Sequence, residues 1–242
     1  MAYDAGTRPD AGREAAAKAA PSAADASHRT GKRMTTSRRS ADRAVVFVRL
    51  TLALLGGALL VTGYLTTALG GQVNPVTDPV SDYVFHGAGG TLFMVAVVLL
   101  IVAGLVLQAG MNGARMPRNR VTGVLFGLWY TGLLLCVVFP GDQLATDQTL
   151  SGQLHRVGGA MLFICLPVAC WILARGLHPD PRWVGFASWI RRFAATVLAC
   201  AAMFGVAQLV PWLPKGLLER VALGAELALL VALALAVRRA AR

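Results

Sequence analysis

The sequence predicts an all-α protein: a six-span transmembrane helical bundle with a disordered N-terminal cytoplasmic tail. Three observations carry this. Of 242 residues, 56% are hydrophobic and only 14% are charged, whereas a soluble domain usually carries about 25% charged residues. Six apolar runs follow the first forty-odd residues, each long enough to cross a hydrocarbon core. Arginines gather in alternate connecting segments, the pattern by which a membrane protein sets its orientation.

Residues 1–43 are rich in Ala, Ser, Arg and Asp and hold no large aliphatic side chain apart from methionine. Such a segment buries too little apolar surface to offset its ordering entropy, so a disordered tail is expected. Within it, Glu14 and Lys18 have the i,i+4 spacing that slightly favours an isolated helix. Arg29, Lys32, Arg33, Arg38, Arg39 and Arg43 precede the first span. They serve orientation first, and anionic headgroup binding as the functional alternative. Met34, followed by Thr35-Thr36-Ser37, is a second candidate translation start beside Met1. No short basic region and apolar stretch opens the chain, so the first run is expected to stay as a span rather than be cleaved.

The transmembrane domain, 44–238, contains runs at about 45–69, 83–109, 120–139, 156–174, 191–210 and 217–237. None alternates strictly, which excludes barrel strands and leaves helix. The formal net charge of +11 resembles a nucleic-acid footprint, but it is spread over the tail and short loops, so no nucleic-acid partner is expected. Arg49 and the tail precede run one; Arg115, Arg118 and Arg120 separate runs two and three. Arg175, Arg182, Arg191 and Arg192 separate runs four and five, and Arg238, Arg239 and Arg242 follow run six. Segments 70–86 and 139–155 carry Asp78, Asp82, Asp142 and Asp147 and no Lys or Arg. Segment 211–220, with Lys215, Glu219 and Arg220, is a weak exception. Both termini are therefore expected in the cytoplasm. Trp183 and Trp189 suit the inner interface and Trp212 the outer one.

Helix packing has its own signals. Gly123 and Gly127, extended by Thr131, form a GxxxG face. Gly87, Gly90 and Thr91 thin the outer half of span two, and Gly158 and Gly159 that of span four; Pro167 is expected to kink span four. The oligomeric state is open. Cys136, Cys165, Cys170 and Cys200 lie in apolar runs without a CxxC pair, so they read as small buried residues.

Polar residues collect at the outer ends of spans two, three and four. Asp78-Pro79 reads as a helix start, a capping carboxylate followed by proline at the first helical position. A helix from Pro79 to about Ala109 would then carry Ser81, with Asp82 and His86 one turn apart on one face. Phe139-Pro140-Gly141-Asp142 ends span three, and Thr149 or Ser151 can cap span four, which brings in His155 and Arg156. Asp78, Asp82, His86, Asp142, His155 and Arg156 thus share one membrane face. Asp82, His86 and His155 are suitable ligands for a divalent metal; equally, the group serves as caps, interfacial anchors and an Asp–Arg pair. Glu226 lies near the middle of span six, where a charged carboxylate costs roughly 2.5–3.5 kcal/mol. Arg156, Tyr130 and Gln208 are its expected partners.

The elements Asp78-Pro79-Val80-Ser81-Asp82, Phe139-Pro140-Gly141-Asp142, Gly152-Gln153-Leu154-His155 and Leu218-Glu219-Arg220 resemble those of a bacterial membrane-protein family catalogued as domain of unknown function 998. The resemblance covers about residues 45–238. It implies a six-span helical bundle, a bacterial cytoplasmic membrane and no established activity.

Three function classes stay open. The first is a non-enzymatic membrane protein whose extracytoplasmic polar recess binds a lipid headgroup or a partner. The second is a membrane-embedded, metal-dependent lipid hydrolase in which Asp82, His86, His155 and Asp142 hold an ion and its water. The third is a proton-coupled transporter using Glu226. Walker, Rossmann, HExxH and GxSxG motifs are absent from the sequence.

Overall fold

The computed structural model describes residues 23–143 and 148–240, with side chains from residue 42 onward. The chain divides into two units, Met1–Ser40 and Ala41–Arg242. Glu14, Lys18 and Asp147 lie outside the described residues, as do the side chains of the basic cluster before Arg43.

Every regular element among the described residues is helical. In chain order they are α1 (Ala23–Ala68), a 3-10 helix (Val80–Phe85), α2 (Gly89–Gly113), α3 (Arg120–Val138), α4 (Leu150–Leu177), α5 (Val184–Leu209) and α6 (Lys215–Ala240). The first helix is described back to Ala23, and its apolar part begins at Asp42. All six α-helices contain a stretch long and apolar enough to cross a membrane, the first of them Asp42–Ala68. The protein is a multi-pass membrane protein.

Helices α4 and α6 are the interior pair. Their apolar windows are 56% and 50% buried, against 17–33% for the other four. Consecutive helices from α2 onward pack side by side, and α6 also touches α2 and α4. The sequence points to Gly123 and Gly127 as the close-packing face, but space beside both is open. The tight crossing uses Gly132 and Gly158 instead. A Cβ on Gly132 would lie 2.7 Å from the Gly158 carbonyl oxygen and 2.8 Å from the Leu162 nitrogen. The difference is one of helix face: Gly123, Gly127 and Thr131 are exposed, whereas Gly132 is buried against α4. Pro167 lies inside α4 and is buried.

A further difference concerns tryptophan. Trp189 and Trp212 are exposed, as interface anchors are, but Trp183 is fully buried. It packs edge-on against Phe186 at the start of α5, with the Arg182 guanidinium over its ring.

Residues 69–88, 139–143, 148–149 and 210–214, which connect helices, lie at one end of the bundle, here the acidic end. Connections 114–119 and 178–183 lie at the other, the arginine end. The acidic end has its own small core: Leu65, Val73, Val80 and Tyr83, with Leu69, Leu92, Phe93 and Leu223 against them. That core draws the end of α1, the 3-10 helix, α2 and α6 together and so orders the long 69–88 connection.

Candidate functional site at the acidic end

The expected long helix from Pro79 is interrupted. Val80–Phe85 forms a 3-10 helix, His86 is extended, and Gly87 has φ of 49° before α2 begins at Gly89. A positive φ is readily adopted by glycine. Gly89 is also required on steric grounds, because a Cβ there would overlap the Tyr83 carbonyl oxygen. Asp82 and His86 are therefore not one α-turn apart on a single helix.

Asp78 does not cap the 3-10 helix. Its carboxylate accepts from the Asn74 N–H at 2.8 Å and from the Thr77 hydroxyl at 2.7 Å, closing the turn that precedes Pro79. The cap comes from α6: Glu219 Oε2 accepts from the Val80 N–H at 2.6 Å. Arg220, next in sequence, donates to the Asp78 carbonyl at 2.8 Å and to the Tyr83 hydroxyl at 3.1 Å, and its guanidinium stacks on the Tyr83 ring at 5.7 Å. The Leu217 N–H donates to the Val76 carbonyl at 3.0 Å. Gly216 permits this approach, since a Cβ there would overlap the Asp78 carbonyl oxygen. The Asp78-Pro79 and Leu218-Glu219-Arg220 segments thus form one docked unit. Glu219 and Arg220 are the site residues that sequence reasoning undervalued. Their signal was the charge exception at 211–220: Glu219 is buried and Arg220 half-buried, and each is bonded to segment 78–83.

The second cluster joins the end of α3 to the start of α4. Thr149 caps α4, its hydroxyl accepting from the Gly152 N–H at 3.0 Å. That hydroxyl also donates to Asp142 Oδ1 at 2.5 Å, and Arg156 pairs with Asp142 Oδ2 at 2.7 Å. Ser151 donates to the Pro140 carbonyl at 2.8 Å, and His155 Nδ1 donates to the Phe139 carbonyl at 2.8 Å. The Thr149 hydroxyl, aided by Arg156, holds the Asp142 carboxyl below the usual carboxylate range. His155 on this scaffold has its Nδ1 committed, which directs its other nitrogen away from Phe139.

Between the two clusters lies a recess of about 290 Å³ lined by Asp82, Phe85, His86 and Gln143. Asp82 is half-buried. Burial pushes its carboxyl up, the Asp78 charge adds to this, and His155, His86 and Arg220 oppose it. Those five groups share one electrostatic neighbourhood. Among the described residues, the Asp82 carboxylate and the His86 imidazole make no hydrogen bond or ion pair, and neither does Ser81 through its hydroxyl. Asp78, Asp142, His155, Arg156, Glu219 and Arg220 all hold the scaffold.

Among the described residues no three His, Cys, Asp or Glu side chains come close enough to hold a metal ion, so Asp82, His86 and His155 are not gathered into such a trio. Glu226 is only 3% exposed. Its expected partners are elsewhere: Arg156 pairs with Asp142, Tyr130 accepts from Gln108 at 2.8 Å, and Gln208 is exposed. The Trp129 indole of α3 is the polar neighbour of Glu226. Yet neither Trp129 Nε1 nor Glu226 Oε1 has a hydrogen-bond partner among the described residues. The four cysteines are free thiols.

No curated protein and no solved structure matches the chain. One family profile does, over residues 53–236, which takes in all four acidic-end segments and every helix in part or whole. The chain belongs to the family described as protein of unknown function (DUF998).

Proposed function

We propose that this is a non-enzymatic protein of a bacterial cytoplasmic membrane whose acidic-end recess receives the ammonium group of a lipid headgroup. One observation carries the reading: among the described residues Asp82 and His86 line the recess while holding nothing else, and every other charged group of the constellation is spent on the scaffold. Asp82 offers an anionic acceptor whose burial is relieved by a bound cation. Phe85 offers a ring face, which attracts cations. The recess lies at the ends of the apolar spans, the depth of headgroups. The charge pattern supports an orientation with the acidic end outside and both termini in the cytoplasm, because the arginines gather at the other end.

The test is native mass spectrometry of delipidated protein given phosphatidylethanolamine or phosphatidylglycerol. Retention of the ethanolamine lipid is expected to fall about tenfold in Asp82→Asn, the scale of one charge-assisted hydrogen bond. Equal retention by wild type and variant would remove the reading.

A further inference from the structure

The arginine end carries a second cleft, of about 230 Å³, between the start of α3 and the end of α4. Pro117, Arg118, Asn119 and Thr122 form one wall, and Ile172, Leu173 and Gly176 the other. Gly176 is exposed with open space where a Cβ would stand, so it keeps the cleft wide.

Arg118 is the informative residue. It is half-buried, and its guanidinium donates to Gln108 Oε1 at 3.3 Å and to Asn112 Oδ1. Gln108 is itself fixed, donating to the Tyr130 hydroxyl. Both acceptors are neutral. Among the described residues no carboxylate pairs with Arg118, although a partly desolvated charge is ordinarily matched by a counter-charge. A guanidinium has five N–H donors, so the two amides leave most of its hydrogen-bonding capacity for an anion. Its surroundings favour one: Arg115, Arg120, Arg175, Arg182, Arg191, Arg192, Arg238 and Arg239 lie at this end of the bundle, against Asp42 and Asp180.

We infer that this cleft binds an anionic phospholipid, its phosphate on Arg118 and its acyl chain along Ile172, Leu173 and Gly176. Charge complementarity selects the headgroup, since Arg118 is a fixed cation without a counter-ion among the described residues. The apolar wall selects a lipid over a free anion, because inorganic phosphate gains nothing from Ile172 and Leu173. The cleft's depth fits as well: α3 begins at Arg120 and α4 ends at Leu177, where a span leaves the hydrocarbon. Basic pockets between transmembrane helices are a recurrent way of holding such headgroups. The site is at the opposite end from Asp82 and does not depend on it.

The experiment is native mass spectrometry of delipidated full-length protein offered equimolar phosphatidylglycerol and phosphatidylcholine. Wild type should retain the anionic lipid about tenfold better, as expected for one charge-assisted contact. Arg118→Gln should erase that preference, and Gly176→Leu, which fills the cleft, should lower retention while leaving the charge. Gly127→Ala, on an exposed face of α3 with open space beside it and outside the cleft, should behave as wild type. Equal retention of the two lipids by wild type would overturn the inference without any variant. So would an unchanged preference in a folded Arg118→Gln protein, or displacement of the lipid by millimolar inorganic phosphate, which would mark a free-anion site.

Discussion

Replacing Gly216 by alanine tests how the acidic end is assembled. The added methyl would overlap the backbone oxygen of Asp78 and lie 2.8 Å from its nitrogen. Both are backbone atoms on a turn locked by Asn74 and Thr77, so no flexible side chain can yield. Segment 74–83 must move off α6 and take three contacts with it: Leu217 N–H to Val76, Val80 N–H to Glu219, and Arg220 to Asp78. One of these is a neutral hydrogen bond of about 1 kcal/mol, and two involve a charged partner at about 1.5–3 kcal/mol each. Because they are coupled through one interface, the expected loss is about 3–5 kcal/mol rather than their full total. Gly224→Ala is the matched control. It lies on the same helix with nothing within 4 Å of the new methyl, and alanine is the better helix former. Thermal unfolding in detergent, read by circular dichroism, should place Gly216→Ala well below wild type and Gly224→Ala at or above it. A Gly216→Ala protein as stable as wild type would refute the docking that positions the recess.

Three further outcomes follow from the same geometry. Asp142 is held below the usual carboxylate range by Thr149, so its contribution to stability is present above the unfolded value of about 3.9 and fades as pH falls through the folded one; Asp142→Asn should flatten the acid limb of a stability–pH curve below about pH 4. Glu226→Met removes a buried oxygen that has no partner among the described residues and should stabilise the protein by about 1–3 kcal/mol in chemical denaturation; a loss would show that Glu226 has a partner after all. Gly132→Ala, with its methyl 2.7 Å from the Gly158 oxygen, should cost about 1–3 kcal/mol as overpacking, while Gly123→Ala and Gly127→Ala leave unfolding unchanged or slightly raised.

The six spans were legible because each is a long apolar run, and run length alone separates a membrane helix from other apolar segments. The break before α2 was not. Asp78-Pro79 followed by apolar residues reads as an ordinary helix start, and Gly87 and Gly90 look like packing glycines. Only the carbonyl of Tyr83 beside Gly89 shows why the chain must turn there. The Asp142 cluster was legible, since Pro140-Gly141 ends a helix and Thr149 begins one within a few residues. The docking of Glu219 and Arg220 on segment 74–83 spans about 140 positions, a pairing that periodicity cannot reveal. The polar neighbour of Glu226 was missed by one residue: it is Trp129 and not Tyr130, and spacing alone does not say which face of α3 turns toward Glu226.

The most direct test of the proposed recess is the affinity of short-chain phosphatidylethanolamine for the purified protein, measured by calorimetry at pH 4 and pH 7. Burial raises the Asp82 carboxyl, so ionised Asp82 is scarcer at low pH and an ammonium group should bind more tightly as pH rises. Binding that strengthens with pH in wild type, and is weak at both pH values in Asp82→Asn, is the predicted result. Affinity that ignores both pH and the Asp82→Asn substitution would contradict the account and place the headgroup elsewhere.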